Sequence, residues 1–134
     1  MDCLVPTSVG VRCNKCKAAH RVRYHSNREA NVKRAQQRRQ RLKRAAFDAY
    51  GGPKCMCCGE EHLEFLTIDH VEGGGAEHRR KLVADKGWKD SRSMGGSHMY
   101  LWLKQQDYPD GYRVLCFNCN FALGHFGYCP HRTE

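Results

Sequence analysis

The sequence predicts a small α+β domain that is cross-linked by zinc and preceded by a long basic helix. Three observations carry that expectation: the widely separated pairs Cys55/Cys58 and Cys116/Cys119, two short strand-like runs between them, and a basic stretch without Gly or Pro upstream of both. A Cys-x2-Cys turn sets two sulfurs side by side, and two such turns complete the tetrahedral four-thiolate set of a structural zinc. With 134 residues the chain makes one small domain, or a compact domain plus an arm, so its apolar core is modest. Structural zinc supplies on the order of 10–16 kcal/mol of folding free energy in small domains, and metal and fold are therefore expected to be coupled.

Residues 1–26 hold few apolar side chains but carry Cys3, Cys13, Cys16, His20 and His25. They are too poor in apolar residues to make a core alone. Over residues 27–50 the chain is dense in Ala, Gln, Arg and Lys, all good helix formers, and a long helix is expected. Leu42, Ala45, Ala46 and Ala49 recur at helical spacing, so the second half should pack. The first half offers only Ala30, Val32 and Ala35 and should project. Arg28, Lys33, Arg34, Arg38, Arg39, Arg41, Lys43 and Arg44 face a single acid, Glu29, as expected of an arm lying along phosphates.

Gly51-Gly52-Pro53 ends this helix and divides the chain into segments 1–50 and 51–134. A strand is expected over 63–71, buried on both faces near its end, with Asp69 and His70 placed where it gives way to Gly73-Gly74-Gly75. Neighbours on a regular strand point to opposite faces, so Asp69 and His70 can share a site only if the strand twists or breaks there. The glycines would permit that. Helices follow over 76–86 and 98–106, with Trp88, Tyr100, Leu101, Trp102 and Leu103 as core. A turn at 108–111 leads to a second strand at 112–115, and a short helix should start near Asn120.

The formal net charge of +9 points to a polyanionic partner, DNA or RNA before an anionic membrane surface. No apolar run approaches twenty residues and no signal-peptide pattern opens the chain, so a soluble protein is expected. Nine cysteines, six of them in three Cys-x2-Cys pairs, fit a reducing, cytoplasmic compartment. Cys13 and Cys16 form a third pair, a possible second zinc site that Cys3, His20, Cys129 or His131 could complete. Cys57 stands at the wrong spacing within the first pair and is left as a spare thiol.

Between the two cysteine pairs lie residues suited to phosphodiester hydrolysis. The Asp69 carboxylate and the Asn120 side-chain carbonyl are hard oxygen donors for Mg²⁺ or Mn²⁺. His70, partly neutral near pH 7, can take a proton from water.

Cys55, Cys58, Gly59, Ile68, Asp69, His70, Leu115, Cys116, Cys119 and Asn120 together resemble the HNH endonucleases, the ββα-metal or His-Me finger group that includes phage recombination endonuclease VII. The segment 111–131 and the string Gly73-Gly74-Gly75 with His78-Arg79-Arg80 are similar to small phage-encoded members, and the resemblance spans about residues 40–134. It implies a zinc-stabilised ββα-metal core and a Mg²⁺-dependent DNA endonuclease that leaves a 5′ phosphate and a 3′ hydroxyl. In that reading His70 is the general base, and Asp69 and Asn120 hold the catalytic cation. His78 is the best additional active-site candidate, and Arg34, Arg38, Arg41, Arg79 and Arg80 are DNA contacts. No small-molecule cofactor is expected.

Two features depart from the family pattern: Gly111 stands where many members have a loop-ordering Asn, and the connection from His70 to Cys116 is long. A monomer with one site would nick, whereas double-strand cleavage would call for a homodimer or two events. The competing expectation is a zinc-dependent DNA-binding protein that does not cut.

Overall fold

The computed structural model describes residues 13–87 and 94–132. Cys3 and Trp88 lie outside them. Among the described residues the chain forms five helices and a two-stranded antiparallel sheet, a small α+β arrangement. It divides into two units, Met1–Arg38 and Arg39–Glu134.

In the first unit, α1 (Asn14–Ser26) starts on Cys13, whose Sγ accepts the Cys16 N–H at 3.4 Å, and it buries no residue. The chain turns at Asn27, whose backbone N–H bonds the Arg23 carbonyl, and continues as α2 (Arg28–Ala49). Within this unit a groove of about 540 Å³ is lined by His20, Arg23, Tyr24, Asn27, Asn31 and Arg34. The helix expected over 27–50 is thus present, and a further helix precedes it where the sequence indicates only the lack of a core.

The C-terminal part of α2 belongs to the second unit and buries Ala46 and Phe47, with Leu42 half-buried. Phe47 is the main anchor, whereas Ala49 faces solvent, contrary to its place in the expected apolar stripe. The helix stops as expected: the Gly52 N–H returns to the Phe47 carbonyl at 2.8 Å, and Gly51 and Gly52 take φ near +100°, which side chains oppose.

Strands β1 (Leu66–His70) and β2 (Tyr112–Cys116) pair antiparallel, with Leu66 opposite Cys116, Asp69 opposite Arg113 and His70 opposite Tyr112. Residues Leu63–Phe65, expected as strand, form a 3₁₀ turn. The reason is register: β2 ends at the partner of Leu66, so earlier residues have nothing to pair with. Strand β1 also stays regular through His70, and the chain turns only afterwards, where the Gly73 N–H bonds the His70 carbonyl at 2.9 Å. The expected break at Asp69-His70 is therefore not present.

Helices α3 (Gly75–Asp85) and α4 (Ser97–Gln105) lie close to their expected positions. Helix α5 (Phe117–Phe126) begins three residues before the expected start at Asn120, because the cysteine turn is itself the first helical turn: Cys116 caps it and its Sγ accepts the Cys119 N–H. One core cluster gathers Ala46, Phe47, Leu66, Val114 and Leu115 with the cysteines. A second joins Leu82, Val83, Met94, Met99 and Leu103, and Ile68 of β1 packs against both. The long connection between the strands thus builds apolar packing of its own. Of its expected core residues, Tyr100 and Leu103 are buried and Leu101 and Trp102 only half so.

Candidate metal centre and histidine pair

The ligand atoms of Cys55, Cys58, Cys116 and Cys119 all lie within 4.8 Å of one another, and this set can hold a metal ion such as zinc. Cys58 Sγ and Cys116 Sγ are 3.7 Å apart, close to the edge of about 3.8 Å that a tetrahedron with Zn–S arms of about 2.3 Å requires. Both pairs adopt the same turn, in which the first sulfur accepts the N–H of the second cysteine, at 3.5 Å for Cys55 and 3.4 Å for Cys116. The first turn is fixed to the sheet by the Met56 N–H on the Val114 carbonyl at 3.0 Å. Burial pushes the Cys55 thiol up, but the N–H groups of Cys58, Cys116 and Cys57 outweigh it and hold the thiol at about 6. Burial, and then the surrounding thiols, push Cys119 well above its ordinary value. So many thiols ionise together only around a cation.

A second set, Cys57, Cys119, Cys129 and His131, meets the same 4.8 Å limit. Cys57, a spare thiol by spacing alone, thus lies within reach of three further donors, two of which, Cys129 and His131, are the expected possible partners of Cys13/Cys16. Spacing to Cys55 and Cys58 alone hides this role of Cys57; the Cys129-Pro130-His131 tail is the signal that a second pair of donors awaits it. Cys13 and Cys16 repeat the N–H to sulfur turn but belong to neither set among the described residues.

His70 closes β1 at the other end of the hairpin. Its Nε2 lies 2.9 Å from Nδ1 of His78 on α3, so one of these two nitrogens carries the proton of a hydrogen bond. The His70 ring packs against Tyr112 at 4.8 Å between centroids, and His78 against Trp102 at 4.7 Å. Gly75 makes room for the pair: a Cβ there would stand 2.9 Å from His70 Nδ1. Burial first, then His78 and Arg79, lower the His70 pKa despite the opposing charge of Asp69. Burial, Lys81 and Arg79 lower that of His78. Both imidazoles are thus held neutral near pH 7.

The remaining candidates take different positions. Asp69 sits on the face of β1 opposite His70, and its Oδ2 accepts from Arg113 Nε at 2.8 Å across the strands. Asn120 is half-exposed in the first turns of α5, and no hydrogen bond among the described residues joins it to Asp69 or His70. Arg79 is half-buried and, with His70, Thr67, Tyr100 and Phe117, lines a cavity of about 170 Å³. Arg34, Arg38, Arg41 and Arg80 are exposed. The loop that Gly111 would have left unordered is tied by backbone and by tyrosine. The Val71 N–H bonds the Gly111 carbonyl at 2.9 Å, and the Tyr50 hydroxyl bonds the Pro109 carbonyl at 2.7 Å. Gly111 itself has φ +101°, a conformation in which Asn would be strained.

Comparison with known proteins finds no matching family model, no matching curated protein and no matching solved structure. No helix among the described residues is long and apolar enough to cross a membrane.

Proposed function

We propose that this chain is a divalent-metal-dependent endonuclease of the HNH type that hydrolyses DNA phosphodiester bonds in a cytoplasm, with His70 as general base. The observation that carries the reading is the cavity lined by both His70 and Arg79. A neutral imidazole can accept the proton of an attacking water, and a guanidinium beside it offers charge to a phosphate oxygen. His78 holds the His70 ring through their hydrogen bond, and Gly75 leaves the space in which that ring stands.

Asp69 and Asn120 supply oxygen donors of the kind Mg²⁺ or Mn²⁺ prefers, and such a cation would stabilise the charge that builds on the phosphate. Because Arg113 already holds the Asp69 carboxylate, a cation there competes with a guanidinium. The net charge of +9 supports a nucleic-acid partner, and Arg34, Arg38, Arg41, Arg79 and Arg80 are its proposed phosphate contacts. The resemblance to phage-encoded HNH proteins supports the same reading, with the hairpin and α5 as the ββα-metal core.

The Asp69–Arg113 ion pair favours a second reading, a zinc-dependent DNA-binding protein that does not cut, because it gives the carboxylate a structural role. Incubating plasmid with the full chain and Mg²⁺ or Mn²⁺ separates the two. Wild type should nick or linearise DNA, and His70→Ala and Asp69→Ala should each lose on the order of 100-fold or more in rate. Binding without cleavage under either metal would establish the second reading instead.

A further inference from the structure

We infer that the cysteine cluster is a dinuclear metal site in which the Cys119 thiolate bridges two zinc ions, one held by Cys55, Cys58 and Cys116 and the other by Cys57, Cys129 and His131. Two tetrahedral ions make eight bonds, and the seven side chains of the two sets supply eight only because Cys119 belongs to both. Cys119 is suited to bridging: it is fully buried at the start of α5, its N–H bonds Cys116 Sγ, and its own Sγ lies within 4.8 Å of the ligand atoms of both sets. His131 Nδ1 lies 3.5 Å from Cys129 Sγ and 3.2 Å from Cys119 Sγ, near the N···S edge of about 3.5 Å expected around tetrahedral zinc.

The C-terminal tail gives independent support. Cys129 is 2 % exposed, whereas Tyr128, Pro130, His131 and Arg132 around it are all exposed. A single residue is thus buried in an otherwise solvated segment; it joins the core cluster, and its sulfur stands within 4.8 Å of the ligand atoms of Cys57, Cys119 and His131. An apolar anchor would suffice for packing; two thiols and an imidazole converging on a fourth donor fit a metal. Six thiolates around two divalent ions leave a net charge of about 2−. Arg132 lies at the edge of the second set, its Nη2 donating to the Met56 carbonyl next to Cys57 at 3.1 Å. The second ion would fasten the segment after α5 to the Cys55–Cys58 turn, and it does so whether or not the chain cuts DNA.

The test uses the full chain with Cys13→Ser and Cys16→Ser, so that the N-terminal pair contributes no ion. Elemental analysis should find two zinc ions per chain, falling to one in Cys57→Ser, Cys129→Ser and His131→Asn. After exchange into ¹¹³Cd, two resonances split by mutual coupling are expected, since that coupling needs a shared sulfur, and Cys129→Ser should leave one unsplit line. One ion per chain that these substitutions do not change would overturn the inference, as would two uncoupled cadmium lines. A Cys57–Cys129 disulfide in reduced, metal-loaded protein, seen by mass, would overturn it too. Should the single-site variants fail to fold, the wild-type cadmium spectrum decides alone.

Discussion

The two ends of α2 sit in opposite environments. From Arg28 to Arg41 every side chain but the half-buried Asn31 is exposed, and most of the charge is of one sign. A few turns later Ala46 and Phe47 are completely buried against Leu66, Val114 and the cysteine cluster. One helix thus carries a solvated basic surface, the binding surface of the proposed function, and a core whose energetics lie in what it excludes from water. The difference teaches that substitutions in the second unit should be read in stability, and substitutions in the first in affinity.

Metal removal tests that contrast most severely. A strong chelator should abolish the cooperative urea transition of the second unit, with an apparent loss on the order of 10 kcal/mol. An unchanged transition in demonstrably metal-free protein would mean the core stands on apolar packing alone. Next in size, Phe47→Ala should cost about 3–5 kcal/mol by the same measurement, because the ring is fully buried and packs edge-on against Tyr100. Val32→Ala, 45 % exposed on the same helix, should stay within about 0.5 kcal/mol. Equal effects at the two positions would break the comparison.

Elsewhere in the second unit, the half-buried histidine pair should respond to geometry more than to stability. Gly75→Ala places a methyl against His70 Nδ1, so the ring must shift. Plasmid cleavage should fall roughly 100-fold while the urea midpoint changes little, since misplacement by about 1 Å is costly for catalysis alone. In the first unit, Arg34→Gln with Arg38→Gln should leave stability unchanged and weaken binding to duplex DNA. The slope of log K against log salt should become shallower by about 0.9 for each phosphate that is no longer neutralised. A stability loss without a change in slope would show these residues to be structural.

What is legible in the sequence follows the same division. Helices α2, α3 and α4, the two strands and the Cys55/Cys58/Cys116/Cys119 set are written locally, in periodicity and spacing, and lie near their expected places, whereas α1, which buries no residue, carries no such apolar pattern. The start of α5 at Phe117 escapes a local reading because the cysteine turn doubles as a cap, and Leu63–Phe65 because strand length depends on a partner some fifty residues away. Cys57 and the contact between His70 and His78 are harder still: each depends on a tail or an excursion folding back, which no local pattern encodes. Likewise the Asp69–Arg113 pair exists only once the register is set.

The smallest expected effect lies at the rim of the first cysteine turn, where the Glu60 carboxylate accepts the N–H groups of Glu61 and His62 and meets the His62 ring. The hydrogen bond that the His62 ring donates to the Glu60 carboxylate, then that carboxylate's charge, raises the His62 pKa above its ordinary value. A raised folded-state value means that the folded protein holds this proton more tightly than the unfolded chain. The associated stability is therefore fully present below the ordinary histidine value of about 6.5, and it is lost as pH rises through the raised one. His62 is largely exposed and Glu60 partly so, and the contribution should therefore be slight and should fade with salt. Histidine NMR titration should place the His62 midpoint above about 6.5, and Glu60→Gln should bring it down. A midpoint that Glu60→Gln leaves in place would separate the ring from the carboxylate, and Glu60 would then act on the turn through the backbone N–H groups alone.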